Sequence, residues 1–242
     1  MEWNDVGIVL SSRKHGESSI ILTLLTENHG RHLGLVRGGA GRRARGLYEP
    51  GNLLSARWRA RILDHLGGFS CELITARAAL LLDNPLKLAA LSAACALAEV
   101  TLPERFEEPT LFHGFSELLE TLDTEQWPQS FVSWELNLLR ELGFGLDLSK
   151  CASTGQIDEL IYVSPRTGRS VSREAGRPYA HNLLPLPAFL INHDEKAPEW
   201  VEILDGFKLT SYFLEHHVLA PHQRKLPNAR SRFIDRIRTQ IQ

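Results

Sequence analysis

Hydrophobic periodicity changes once along this 242-residue chain, near Thr75, and that change constrains the fold more than any other feature. Before it, apolar and polar residues alternate as strands require. After it, apolar residues recur every three or four positions as helices require. Residues 52–63 show the alternation most plainly: Leu54, Ala56, Trp58, Ala60 and Ile62 face one way, and Ser55, Arg57, Arg59 and Arg61 the other. Further strands are expected at 6–10, 18–26, 31–37 and 69–74, with Glu27-Asn28-His29-Gly30 and Gly67-Gly68 as turns. Five short strands suit a small closed barrel, because closure removes the edges an open sheet would leave.

The helical part follows. Residues 78–82 and 87–100 are rich in Ala and Leu, and Asp83-Asn84-Pro85 between them is a helix start. Residues 110–122 and 130–142 carry apolar side chains at helical spacing, the second ending at Gly143. Residues 151–187 read as irregular, with a hairpin of 160–163 against 169–172 and a stiff connector at 183–187. Helices at about 198–219 and 228–240 close the chain. The expected class is α+β: a five-stranded barrel domain over 1–76 and a mainly helical domain over 77–242.

Charge is segregated along this frame. Residues 1–61 hold 10 Lys/Arg against 5 Asp/Glu, residues 62–218 hold 11 against 23, and residues 219–242 hold 6 against 1. A net charge of −2 therefore conceals a basic front, an acidic body and a basic end, which points to a surface for a polyanion. No basic-then-apolar leader opens the sequence, and no run of 18 apolar residues suggests a membrane span. Three scattered cysteines, Cys71, Cys95 and Cys151, fit a reducing cytoplasm.

The basic front concentrates in LVRGGAGRRARGLYEPGNLLSARWRAR, residues 35–61. Residues 38–46 read as a mobile loop, too polar and glycine-rich for a packed element. Arg57, Arg59 and Arg61 share one strand face about 6.6 Å apart, a spacing at which like charges repel unless a counter-charge such as a phosphate backbone relieves them. The strand alone reads most simply as a solvated face; loop and strand together on a barrel favour polynucleotide binding. Polynucleotide binding requires these groups to gather on a curved sheet and to stay clear of carboxylates.

Other motifs carry less. Gly39-Ala40-Gly41-Arg42-Arg43-Ala44 matches the dinucleotide fingerprint formally, but Tyr48-Glu49-Pro50-Gly51 stops any helix that could anchor a pyrophosphate. Cys151, Thr154, Ser172 and Ala175 have the spacing of two zinc knuckles, yet only Cys151 is a zinc ligand, so no metal or other cofactor is expected. His216, His217 and His222 lack the spacing of a helical zinc site. No nucleophile elbow, Walker loop or paired carboxylates appear, so nothing argues for an enzyme. Arg224, Lys225, Arg230 and Arg232 form a second basic patch, read equally as a solvated final helix or as a supplementary nucleic-acid or partner contact.

The ordered segments GIVLSSRKHGESSIILTLLTENHGR, VRGGAGRRAR with YEPGN, GFGLDLSKCASTG, YVSPRTGRSVS, LLPLP, LTSYFLEHHVL and LPNARSRF run the length of the chain. In this order they resemble the RecO family of bacterial repair and recombination-mediator proteins. The resemblance implies an N-terminal OB-fold (oligonucleotide-binding) barrel, a helical body and, in many members, a zinc-knuckle region, here degenerate at three of four positions. It implies a non-enzymatic protein, bacterial, cytoplasmic and nucleoid-associated. Such a protein binds single- and double-stranded DNA and anneals complementary strands. With a RecR partner it helps RecA load onto DNA covered by single-strand-binding protein, whose acidic C-terminal tail it docks. By matching motif, the DNA-contacting residues are Arg37, Arg42, Arg43, Arg45, Arg57, Arg59 and Arg61, with Arg13 and Lys14 in the first hairpin. The alternative is an OB-fold module for RNA in ribosome assembly or translation, whose barrel would look the same from charge alone.

Overall fold

A computed structural model describes residues 1–62, 65–192 and 197–241, with the side chain of Arg43 left outside. By packing, the chain divides into two compact units, one of Met1–Asp123 with Pro227–Phe233 and one of Thr124–Leu226 with Ile234–Gln242.

The first unit opens with five strands: β1 (Glu2–His15), β2 (Ser19–Thr26), β3 (Gly30–Val36), β4 (Leu53–Arg59) and β5 (Gly68–Thr75). They close into a barrel in the order β1-β2-β3-β5-β4, and β4 pairs back onto β1. Neighbours are antiparallel except β3 and β5, whose parallel contact at Leu35–Gly68 completes the closure. This is the expected OB-type barrel. Its strands are longer than expected at β1, and β4 ends at Arg59; Leu63 of the expected strand lies outside the described residues. Val9, Leu22, Leu24, Leu54, Ala56 and Trp58 fill the interior, which is the inward set of the period-2 pattern.

Residues 38–46 correct the expectation of a mobile loop. Arg42–Arg45 form a helical turn, α1, which continues as a 3-10 turn over Gly46–Tyr48. Ala40, Ala44 and Leu47 pack on the barrel core, and Tyr48 is buried within it. Apolar residues at 40, 44 and 47 recur at helical spacing, so one face seals the barrel while Arg42 and Arg45 project outward. The Asn52 side chain donates to Gly46 O and Leu47 O and so ties this turn to the root of β4.

Beyond the barrel, α2 (Arg77–Leu80) leads to α3 (Pro85–Thr101), which Asn84 caps by accepting from Lys87 N at 3.1 Å, and to α4 (Pro109–Thr121). Between α3 and α4, Arg105 N donates to Arg31 O at 2.8 Å, so this connector runs beside the start of β3. Gly30 sits at φ 63°, and a Cβ there would meet Phe106 O at 2.0 Å; only glycine allows this approach.

The second unit holds α5 (Trp127–Glu141), a three-stranded sheet of β6 (Leu160–Val163), β7 (Ser170–Ser172) and β8 (Leu184–Pro185), the turn α6 (Arg173–Gly176) and α7 (Trp200–Phe213). The expected stiff connector at 183–187 is thus partly a strand: β8 pairs with β6 on the side away from β7. Helix α7 runs into a π-helical turn, Leu214–Leu219, and α8 (Asn228–Arg238) spans the division between the units. No helix among the described residues is long and apolar enough to cross a membrane.

Candidate nucleic-acid interface

Four of the expected DNA-contacting arginines meet in one cleft. Arg57 and Arg59 project outward from β4, where Ala56, Trp58 and Ala60 turn inward. Arg61 follows just past the strand end, and Arg37 just past β3. Because β3 touches β5 beside β4, these positions share a cleft of about 580 Å³ with His65, Gly67, Gly68, Phe69 and Ser70. All four arginines are exposed. The cleft is therefore built on the β4–β5 side, one of the two loop regions from which such barrels hold oligonucleotides.

Two of the four arginines in the cleft meet a carboxylate and two do not, among the described residues. Among the described residues, no carboxylate pairs with Arg37 or Arg61. Glu2 of β1 accepts a hydrogen bond from Arg57 and lies 3.8 Å from Arg59 Nε. Arg57 and Arg59 nonetheless remain 59% and 79% exposed, and an ion pair this open costs a phosphate little to exchange.

The other expected residues lie outside this cleft. Arg13 and Lys14 stand at the far end of β1, opposite Ile21 and Ile20 of β2. Arg13 donates to Glu99 of α3 at 2.8 Å, which also accepts from Ser11 at 2.7 Å. Arg42 and Arg45 are exposed on α1 with no carboxylate partner among the described residues, while the side chain of Arg43 lies outside them. In the C-terminal patch, Arg224 and Lys225 are exposed in the second unit. Arg232 is exposed in the first, but Arg230 is buried at 1% exposure. That burial corrects the expectation of a surface contact at Arg230.

Sequence reasoning missed the residues that shape the cleft. Arg105, sitting at φ 58°, donates through Nη2 to His65 O at 3.0 Å, and its guanidinium lies 6.0 Å over the Trp58 ring. It thereby holds the β4–β5 turn that walls the cleft. At Gly67, φ is 64° and a Cβ would come within 2.5 Å of the same indole, so this turn tolerates no side chain there. Gly67-Gly68 signalled the turn in the sequence, but nothing in the sequence placed Arg105 beside it.

Beneath the cleft lies an aromatic cluster. His32 is buried among Trp58 at 4.7 Å, Trp3 at 5.0 Å and Phe69 at 6.2 Å between ring centroids. Neither ring nitrogen completes a hydrogen bond, although a His29 backbone group is near enough to favour the protonated form slightly. Burial, then the charges of Arg105 and His29, lower its pKa to about 4. His32 is thus neutral at physiological pH.

The zinc-knuckle spacing resolves into a hairpin with one sulfur. Cys151 is buried, and its Sγ accepts from Ser172 N at 3.3 Å. Burial works to raise the thiol's pKa, but hydrogen bonds from Ser172 and Thr154 outweigh it and bring it down to about 6. The Ser172 hydroxyl is itself buried without completing a hydrogen bond of normal geometry. Thr154 is exposed and Ala175 offers no donor atom. Among the described residues no group of three or more His, Cys, Asp or Glu could hold a metal ion. His216 donates through Nδ1 to Tyr212 O of its own helix at 2.8 Å, and His217 stacks on Phe213 at 5.5 Å.

Known families match both parts of the chain. The recombination protein O N-terminal family matches residues 1–77, and the recombination protein O C-terminal family matches residues 82–226. The DNA repair protein RecO of Rhodospirillum centenum is 50% identical over 240 residues, covering 98% of this chain and 95% of the relative. That of Rhodospirillum rubrum is 50% identical over 244 residues, covering 98% and 97%. The Ruegeria protein of the same name is 47% identical over 244 residues, covering the whole of both chains.

Proposed function

Because the chain belongs to the recombination protein O (RecO) family, we propose that it serves DNA repair as a recombination mediator that binds DNA and anneals complementary strands. One observation carries this reading: Arg37, Arg57, Arg59 and Arg61 converge on a single cleft of the barrel, with Arg42 and Arg45 of α1 exposed on the same unit. Two DNA strands repel each other. Arginines that hold the phosphate backbone lower that repulsion and leave base edges free to pair. Residues 1–76 are the DNA-binding domain in this reading and residues 77–242 the helical domain. Arg13, Lys14, Arg42, Arg43 and Arg45 extend the DNA path, and Arg224, Lys225 and Arg232 make secondary DNA or partner contacts.

Binding and annealing need no covalent chemistry, so the protein acts without catalysis. Its partners are RecR and the acidic C-terminal tail of single-strand-binding protein, and RecA benefits indirectly when DNA is cleared for it. It works in the bacterial cytoplasm, on the nucleoid. The test is a strand-annealing assay with complementary oligonucleotides, run with and without single-strand-binding protein and repeated with RNA strands as competitor. Accelerated annealing of bare and protein-covered DNA is expected. Equal or stronger competition by RNA would favour an RNA-binding module instead.

A further inference from the structure

One carboxylate reaches two arginines of the cleft from the neighbouring strand β1. Antiparallel pairing of β1 with β4 sets Glu2 directly opposite Arg59 and diagonal to Arg57, a distance that long side chains bridge readily. Both carboxylate oxygens are engaged: Oε1 accepts from Arg57, and Oε2 lies 3.8 Å from Arg59 Nε. Among the described residues neither arginine pairs with any other acid. A guanidinium fork binds a carboxylate and a phosphodiester in the same way, through paired N–H groups aimed at two anionic oxygens.

Resting on the DNA-binding reading above, we propose that Glu2 occupies the phosphate subsite formed by Arg57 and Arg59, and that a DNA phosphate takes this subsite only by displacing it. Arg37 and Arg61 line the same cleft without a carboxylate partner among the described residues. A strand therefore engages those two first and the Arg57–Arg59 subsite last. Once displaced, Glu2 stays tethered on the neighbouring strand and repels the phosphate that replaced it. The effect is a weaker grip and faster release, which suits a protein that must let a paired duplex go.

The test measures fluorescence anisotropy of fluorescein-labelled oligothymidylate over a range of NaCl concentrations. Glu2→Gln should tighten binding about 3–10-fold and steepen the salt dependence by about 0.7 log units, one extra phosphate contact's worth. Glu2→Thr, suited to a strand, should do the same if the glutamine variant folds poorly. Glu117→Gln, on the exposed face of α4 and outside the cleft, removes the same charge and should change little. In an Arg57→Ala/Arg59→Ala background the gain from Glu2→Gln should vanish. Unchanged or weaker binding by Glu2→Gln, an equal gain from Glu117→Gln, or a gain that survives without the two arginines would each overturn the proposal. Failure of the wild type to bind the oligonucleotide, or full binding by the double-alanine variant, would instead sink the DNA-binding reading of the cleft.

Discussion

The barrel cleft and the Cys151 hairpin are two places where the backbone prepares a site, and they part company over the side chains. In the cleft, β4 carries Arg57 and Arg59 on its outer face, strand closure brings Arg37 beside them, and Arg105 fixes the adjoining turn. In the hairpin, Cys151 N donates to Gln156 O at 2.8 Å and Ser172 N donates to the sulfur, yet Thr154, Ser172 and Ala175 supply no metal ligand. The first gathers charged side chains, and the second offers one sulfur among the described residues. A local fold can therefore outlast the ligand set that its spacing suggests, when hydrogen bonds and packing hold the same turns.

Removing charge from the two regions should separate them most sharply. Replacing Arg57, Arg59 and Arg61 together by Ala should weaken single-stranded DNA binding roughly a hundredfold at low salt and flatten the salt dependence by about 0.7 log units per lost phosphate contact. Anisotropy titrations measure both. Replacing Arg42, Arg43 and Arg45 by Ala tests α1 in the same way. A smaller loss is expected there, about tenfold, with a flattening of about 0.7–0.9 log units per contact. An unchanged salt slope in either variant would remove that group from the DNA path. Cys151→Ala should leave both quantities as they are.

Acid should act next, on the barrel through His32. His32 has a folded pKa of about 4, below the roughly 6.5 expected in the unfolded chain. Protonation therefore favours unfolding. Stability is whole above pH 6.5 and falls as pH drops from 6.5 towards 4, by up to about 3 kcal/mol from this one group. Urea unfolding at a series of pH values measures it. His32→Phe, which keeps an aromatic ring in the cluster, should remove most of that slope and cost little at neutral pH, because the ring nitrogens it deletes complete no hydrogen bond. A slope that survives in the variant would place the acid sensitivity elsewhere.

Much of this was legible in the sequence, and the gaps have physical causes. Alternation around Trp58 revealed β4 and the shared face of Arg57 and Arg59, because period-2 burial is a local property of a strand. Asn84-Pro85 announced α3 for an equally local reason. The helical turn α1 was hidden by its glycines and arginines, since Ala40, Ala44 and Leu47 form too short an apolar face to stand out. Glu2 against Arg57, Arg105 against His65, and the burial of Arg230 depend on closure and long-range packing. No local pattern encodes those contacts.

The smallest expected effect tests the hairpin alone. Cys151 is buried at 1% exposure and its sulfur answers the Ser172 amide, so Cys151→Ala should destabilise the protein by about 1–3 kcal/mol through lost packing and an unpaired buried N–H. Hydrogen bonds tie these turns together. A chelator such as EDTA should then leave the melting temperature of the wild type unmoved, and elemental analysis of the purified protein should find far less than one zinc per chain. Stoichiometric zinc, or a melting temperature that falls on chelation, would mean that donors other than a four-cysteine set complete the site. The hairpin would then stand beside the cleft as a second working site.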